Sequence, residues 1–558
     1  MDRVVAELAR RGKLLVGEPY FEGGRPIVVD RKGAGDVSVG DLAVIRVGRG
    51  RGRLEKILGR ADHIEAVLEG LLWHEGVRRE SPPLPEEPSG SEPERVDLRD
   101  LTAFTVDPED AKDFDDALSF REEGDGLRAW VHIADVSRFV PPGSPLDRDA
   151  AERAFSVYVP GRVEPMLPER LSADLCSLRP DVDRHCVTVE VAFDRNLVPG
   201  EPACYRSLIR SRARLTYLRA EAILAGRERA AEDVTAGLRL AERLSAELRR
   251  RRFVRGALTI EAGETEFAFD GEGGVERAWV QGEPHAHSLV EELMILANEA
   301  VAGLLAGRRR QALYRVHEEP EPQAVELLVS KLAALEVPTP PAPDQLTPRA
   351  AAALAAQISK RVTEYSAQSG RGRNAFPSLV LRSLKQARYD PGNLGHSGLA
   401  SRAYCHFTSP IRRYPDLVVH RVLLRELGLA DDPVPEELDE LAEWTSERER
   451  AAAQVEYRAD EICLAWLLER QLFHSGWDAV LEGEIVGAIG SAIFVRFDEV
   501  FEGLLPARKL PGDYYELDPL GVALVGRRSG RRYRLGDGIA VRVDRIEKAT
   551  GRVSLDPA

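Results

Sequence analysis

The run Asp107-Pro-Glu-Asp110-Ala-Lys-Asp113-Phe-Asp115-Asp116 decides how the rest of this 558-residue chain is read. It gathers six carboxylates into ten residues, and like charges at that density repel unless an opposite charge sits among them. An acidic run is most often a solvated turn. This one is bounded by apolar, strand-like segments, Ala103-Phe104-Thr105-Val106 before it and Ala117-Leu-Ser-Phe120 after it, and Phe114 lies inside it. One side is therefore expected to be buried. A calcium loop of the EF-hand kind does not fit: counted from Asp107 or from Asp113, the ligand at position 5, the glycine at 6 and the glutamate at 12 are all missing. Mg²⁺ is the simplest counter-charge, because it takes hard oxygen ligands, commonly one or two carboxylates plus substrate phosphates. Two such ions about 3.5–4 Å apart clamp the attacking and leaving oxygens of a phosphodiester. The spacing alone points to metal-assisted phosphodiester hydrolysis on a single strand.

Length and composition allow three or four domains with substantial cores. The formal charge is −15, so any attraction for a polyanion must come from where the arginines sit. The five cysteines (Cys176, Cys186, Cys204, Cys405 and Cys463) are odd in number and contain no Cys-x-x-Cys pair. That argues against a disulfide framework and a zinc site, and for a reducing interior. The first eleven residues carry charge throughout and lack an apolar signal core, and no segment approaches the ~18 uninterrupted apolar residues of a membrane span. A soluble cytoplasmic protein is expected.

Residues 12–60 read as short strands with turns (Lys13–Val16, Pro26–Val29, Gly40–Arg46), which suits a small β-barrel, with Arg46, Arg49, Arg51, Arg53 and Lys56 as a basic stretch. Ala61–Gly76 has the period of a connector helix, and Ser81–Pro93 is a proline-rich acidic linker. Thr216–Arg252, Leu289–Arg310 and Trp444–Phe473 read as helices. From Gly476 the period returns to two, with strands at Trp477–Val486, Ala492–Phe497, Gly503–Pro506, Arg531–Asp537 and Ile539–Val543. Five strands with glycine turns suggest an OB barrel. Its arginines, Arg531 and Arg532 among them, lie near Tyr514, Tyr515 and Tyr533, a mixture that suits single strands whose bases stack while cations track the phosphates.

Arg95-Val-Asp-Leu-Arg-Asp-Leu-Thr102 followed by Val106–Ala117 resembles the catalytic signature of the RNB exoribonucleases, the ribonuclease II and ribonuclease R group. Collinear blocks extend the resemblance over most of the chain: Leu146-Asp-Arg148, Ser156–Pro160, Pro165–Pro168, Leu175–Leu178, Glu291–Asn298, Leu381–Gln386 and His406–Asp416. It implies a multidomain α+β architecture. A cold-shock-type OB barrel with its connector helix would occupy 1–75, the linker 76–95, the RNB catalytic domain 96–474 and an S1-like OB barrel 475–558. The first barrel would correspond to the second of the two in ribonuclease R, in an N-terminally shortened chain without the helix-turn-helix.

The resemblance also implies a processive, Mg²⁺-dependent 3′→5′ exoribonuclease that releases nucleoside 5′-monophosphates. Asp107, Asp113, Asp115 and Asp116 match the catalytic aspartates that bind or orient two Mg²⁺, and Arg412 matches the catalytic arginine. Tyr158 matches an aromatic stacked on the 3′-terminal base, and Glu291 a contact to the terminal ribose. Arg413, Lys385, Arg531 and Arg532 are expected along the RNA path, whereas His396 and His406 are expected to be structural. Where ribonuclease II has a second clamp aromatic this chain has Leu258-Thr259, a departure toward the ribonuclease R type. The chain ends at Pro557-Ala558 without that type's lysine-rich tail, which puts unwinding of structured RNA in question. The expected partner is single-stranded RNA, with the chain a monomer, no membrane, and RNA-degradation machinery as the class of associated protein. The rival expectations are an RNA-binding regulator on an inactive RNB fold and a metal-dependent endonuclease.

Overall fold

The strand Ala103–Asp107 is buried along its whole length, which requires cover on both faces. In the computed structural model, which describes residues 3–30, 37–48, 51–77, 80–84, 94–259, 263–271, 273–282, 284–343 and 345–558, this strand lies inside a six-stranded sheet. The order across the sheet is Asp183–Phe193, Gly126–Ala134, Asp116–Glu123, Ala103–Asp107, Ala203–Thr216 and Val96–Asp97. Asp183–Phe193 also pairs with Ala203–Thr216, so five of the strands close on themselves. The helices Glu232–Arg255 and His285–Gly307 cover this sheet and share one apolar core with it, in which Phe104, Leu118, Ile133, Leu238 and Leu293 are all buried.

The expected helices take different limits, Leu289–Arg310 being His285–Gly307 and Ala61–Gly76 being Ile64–His74. The span 216–252 is split: the Thr216 side chain caps Tyr217–Leu224 by accepting from the Arg219 N–H, Gly226 turns the chain at positive φ, and a second helix runs Glu232–Arg255. Glycine is the residue that enters that conformation without strain, so the periodic pattern breaks there. The closing helix runs Leu438–Ser475, six residues longer at its start than its apolar period announces.

The N-terminal segment, read from sequence only for its charge, forms the strand Arg3–Arg11 with Val5, Ala6 and Leu8 buried. It joins Leu14–Pro19, Ile27–Asp30, Gly52–Arg60 and Asp41–Val47 in a closed barrel, packed on the helix Ile64–His74. Residues 85–93 of the proline-rich linker, and Arg49 of the basic stretch, lie outside the described residues. At the other end, Leu481–Ile489, Ala492–Phe497, Phe501–Pro506, Arg552–Pro557 and Gly538–Glu547 close a second barrel.

The second barrel is fastened to the helical region. Glu484 accepts from the Ala375 N–H at 2.9 Å and Arg371 meets Asp537 at 2.9 Å. Between them Gly372 sits at φ +72°, where a Cβ would stand 2.1 Å from the Phe376 ring, so only glycine fits. Among the described residues, no helix is long and apolar enough to cross a membrane.

Asp147 holds the central core together from inside. It accepts from Arg421 at 2.7 Å, from the Tyr414 hydroxyl at 3.0 Å and from the Gly143 N–H at 2.7 Å, with Arg421 almost wholly buried. Removing one partner of a buried pair strands the other charge at a cost of about 3–5 kcal/mol. Asp147→Ala is therefore expected to lower the thermal transition of the chain markedly, as scanning calorimetry would show.

Candidate active site

Strand register places the first two aspartates. Asp107 ends its strand opposite Thr216, and Asp116 begins the adjacent antiparallel strand opposite Ile133. Both therefore stand at the same edge of the sheet, and residues 108–115 form the loop between them. That loop is pinned from three sides. Ser177 Oγ accepts from the Phe114 N–H at 3.0 Å and donates to the Lys112 carbonyl at 2.8 Å, and the Leu178 N–H donates to the Phe114 carbonyl at 2.9 Å. Arg214 donates to the carbonyls of Pro108 and Glu109 and lies 5.6 Å over the Phe114 ring. Glu109 and Asp110 face solvent.

A second segment, Thr408–Arg413, is brought in from far along the chain. The Ile411 N–H donates to Asp115 Oδ1 at 2.9 Å, which leaves Arg412 Nε 3.9 Å from Asp115 Oδ2. The Arg412 carbonyl accepts from the Ser156 N–H at 3.0 Å, tying this segment to the short strand Val157–Val159. The Tyr158 N–H in turn donates to Glu456 of the closing helix at 2.8 Å. Arg412 keeps 44 % of its side chain exposed and Tyr158 is 38 % exposed, so both present a surface to a ligand.

The electrostatics of this cluster are severe. Burial lifts the carboxyl pKa of Asp107, Asp113, Asp115 and Asp116. Asp116 raises Asp107 further, while Arg412 pulls Asp113, Asp115 and Asp116 back toward the ionised form. Asp107 Oδ2 is shielded from solvent and has no hydrogen-bond partner. A buried carboxylate oxygen without a donor costs free energy unless a positive charge meets it. That oxygen, beside repelling carboxylates, fits a divalent cation. Among the described residues no three His, Cys, Asp or Glu side chains converge as a ready-made cage. The arrangement suits an ion completed by substrate phosphate.

The remaining expected residues are placed unevenly. Glu291 lies on the helix His285–Gly307 with 40 % of its side chain exposed, 3.8 Å from Arg252. Its neighbour Glu292 is the buried one and takes the main ion pair with Arg252. Arg413, expected on the RNA path, is turned inward instead: it donates to Asp416 Oδ1 at 2.8 Å, and Asp416 is fully buried, so the guanidinium serves the fold. Lys385 is paired with Glu318 at 3.3 Å and Glu321 at 2.8 Å. His406, half-buried, bonds the Tyr389 hydroxyl at 2.7 Å, and His396 accepts from the Leu399 N–H.

The expected barrel strand Arg531–Asp537 lies outside the second barrel, as Arg532–Arg534 in a three-stranded sheet with Tyr515–Leu517 and Ala523–Gly526; Arg531 and Arg532 are exposed there, but only Tyr514 of the three tyrosines accompanies them at the surface. Tyr515 and Tyr533 are core residues in edge contact at 5.3 Å, since their strand registers point them inward.

Sequence reading passed over two members of the site. Tyr217, the first residue after the strand that pairs with Asp107, has its phenol pKa raised by burial and then by the charges of Asp116 and Asp107. Its only sequence signal is the cap at Thr216, which marks a strand-to-helix turn next to the aspartate edge. Glu456 looks like any solvated helical glutamate until the fold brings it to Tyr158.

Residues 95–428 match the RNB domain, and residues 477–556 match the S1 RNA binding domain. The chain belongs to the RNB family. It is 38 % identical over 497 residues to ribonuclease R of Escherichia coli, an alignment that takes in 85 % of this chain and 59 % of that protein. The chain thus spans under two thirds of that relative's length. Against ribonuclease R of Aquifex aeolicus it is 34 % identical over 591 residues, covering 99 % of this chain and 82 % of the relative. The fold matches the solved structure of Mycoplasma genitalium RNase R in complex with ribose-methylated single-stranded RNA, with TM-score 0.88, 26 % identity, and 100 % of this chain and 89 % of that one covered.

The raised carboxyls set a pH dependence. Between the ordinary carboxylate pKa, about 4, and the elevated folded values, the folded chain holds protons that the unfolded chain has released, so stability without metal falls as pH rises through that window. Asp107→Asn removes one of the repelling charges. In chelator its thermal transition is expected to exceed the parent's by more at about pH 8 than at about pH 5, a comparison that scanning fluorimetry at the two pH values makes directly.

Proposed function

We propose that this protein is a processive, Mg²⁺-dependent 3′→5′ exoribonuclease that hydrolyses single-stranded RNA to nucleoside 5′-monophosphates. The observation that carries the reading is the convergence, at one sheet edge, of Asp107 and Asp116 with Asp115, Arg412 and Tyr158, drawn from segments nearly three hundred residues apart. Direction, processivity and product rest on kinship with ribonuclease R, two of whose members are the relatives described above. The same kinship favours RNA, since the Mycoplasma genitalium protein was solved with single-stranded RNA.

Each residue has a distinct task in this reading. Asp107 and Asp116, with Asp113 and Asp115, would hold the cations. Mg²⁺ bound there would lower the pKa of water and neutralise charge on the phosphodiester. Arg412 offers its exposed guanidinium fork to the non-bridging phosphate oxygens, where charge accumulates in the transition state. Its reach is set by the Ile411–Asp115 hydrogen bond, so the aspartate loop and the arginine are positioned by the same contact. Tyr158 stacks the 3′-terminal base, which any base satisfies because each has a π-face. Glu291 accepts from the terminal 2′-hydroxyl, the group by which a protein tells RNA from DNA. The exposed Arg531 and Arg532, on the three-stranded sheet beside the second barrel, and the basic edge of the first barrel guide the strand inward. The first barrel is of the cold-shock type in this reading.

The test uses 5′-labelled linear RNA beside a circular form. Shortening of the linear RNA to one small 5′-labelled end product is expected, with the circle untouched and all cleavage lost in EDTA or in Asp116→Asn. Tight binding without cleavage would instead make the chain an RNA-binding regulator, and cutting of the circle would make it an endonuclease. Arg412→Ala is expected to lower kcat by about 10²–10³-fold with little change in KM, because its contact strengthens as charge develops.

A further inference from the structure

We infer that Arg162 is a positioning residue through which the first barrel holds Tyr158 against the 3′-terminal base; the inference rests on the reading of Tyr158 as the stacking residue. Tyr158 stands on a short hairpin, Val157–Val159 with Arg162–Glu164, turned by Pro160-Gly161 with Gly161 at φ +77°. The register sets Tyr158 opposite Val163 and Val159 opposite Arg162. Residues opposite one another share a face, and neighbours along a strand alternate between faces. Tyr158 and Val163 therefore share one face, where both are exposed, and Val157, Val159 and Arg162 share the other. Val157 and Val159 enter the same apolar core as Ile64, Leu68 and Leu71 of the helix packed on the first barrel. One face of the hairpin is thus offered to ligand while the other leans on the first barrel's helix.

A two-stranded hairpin of this size has little stability of its own, so its supports decide how Tyr158 is aimed. Its base is tied to the reacting region: the Ser156 N–H donates to the Arg412 carbonyl at 3.0 Å, and Arg153 donates to Glu164 at 3.0 Å. Its tip is held differently. A Cβ on Gly161 would stand 3.2 Å from the Phe269 ring, an apolar contact that has no preferred direction. Direction comes from Arg162, which donates to Glu69 at 2.5 Å. Glu69 lies in the middle of the helix Ile64–His74 and is only 8 % exposed. A carboxylate so buried needs donors and cations around it. It accepts from the Trp73 indole N–H at 3.1 Å and stands 3.5 Å from Lys56 of the basic stretch. Trp73 and Lys56 belong to the first barrel and its helix, whereas Arg162 carries the attraction of the same carboxylate across to the hairpin.

With base and tip both fixed, the exposed face has one orientation, and Tyr158 meets a base without first paying to be ordered. Releasing the tip leaves the contacts at Ser156 and Glu164 in place and lets the hairpin turn about them. The ring is then still present but no longer set against the base. The first barrel in this way governs how firmly the RNA end is gripped, in addition to guiding the strand toward it. The aspartates and Arg412 take no part in the contact, so the grip changes while their arrangement stays.

The experiment places 2-aminopurine at the 3′ end of a short single-stranded RNA or, separately, at an internal position, and follows its fluorescence, which falls on stacking. The full chain carrying Asp116→Asn is added to saturation, so that RNA survives and the signal reports the bound state. In that background Arg162→Ala and Glu69→Gln are each expected to lose most of the 3′-terminal quenching and to keep the internal signal. Each should bind the RNA about threefold to tenfold more weakly, part of the gain of one stacked base. Because both remove the same contact, combining them should add no further loss. Arg162→Lys, which keeps a cation within reach of Glu69, should restore most of the quenching. Terminal quenching equal to the parent's in both variants overturns the inference even if the thermal transition falls, since the ion pair then serves stability alone. Loss in Arg162→Ala with none in Glu69→Gln also overturns it, by making Arg162 a direct contact to RNA. Equal losses at both probe positions overturn it too, because the variants then weaken binding or folding as a whole. If Tyr158→Ala quenches the terminal probe as the parent does, the stacking role of Tyr158 fails, and this inference with it.

Discussion

Mutual repulsion among buried carboxylates is the constraint around which this molecule is built. Asp107 and Asp116 end up side by side because they terminate adjacent antiparallel strands, and the strand ends are fixed by an apolar core that has no alternative register. A one-residue slip would turn Phe104 and Leu118 outward, so hydrophobic burial holds together charges that would otherwise separate. The unpartnered Oδ2 of Asp107 records that cost. Stability is given up at this cluster, whereas the buried Asp147–Arg421–Tyr414 set leaves its charges paired deeper in the same core.

The same economy appears in how distant segments are joined to the site. A backbone N–H, that of Ile411, rather than a side chain, holds Asp115; another, that of Ser156, binds the carbonyl of Arg412; a third, that of Tyr158, reaches Glu456. Backbone donors have little freedom of their own, so these contacts position Arg412 and Tyr158 without consuming their functional groups. The buried Asp135 follows the same logic with opposite charges: burial alone would raise its carboxyl, but Arg206 and Arg95 outweigh burial and keep it ionised beneath the sheet. Charge is neutralised at Asp135 and left unbalanced at the strand ends that carry Asp107 and Asp116.

Much of this was legible in the sequence because it depends on local spacing. The aspartate run, the apolar strands around it, the return to period two after Gly476 and the arginine in Thr408–Arg413 carry their meaning within a few residues. What misled the reading was orientation. Arg413 sits beside Arg412 in the chain, yet one points into the Asp416 pair and the other toward the cluster. Tyr514 and Tyr515 are neighbours on opposite faces of the chain, one in solvent and one in the core. The strand Arg3–Arg11 hid because Arg3, Glu7, Arg10 and Arg11 fall through it without a strict period of two, so its apolar face shows only once a barrel is there to receive it.

The sequence by itself determined the identity of the chemistry-bearing groups and the order of domains, because carboxylate density, hydrophobic period and turn residues are properties of short stretches of chain. The tertiary structure decided which groups share a site: that Glu456 reaches Tyr158, and that Arg413 and the two inner tyrosines turn into the core. Those outcomes depend on side-chain direction and on contacts between residues far apart in sequence, and only the packed core fixes either.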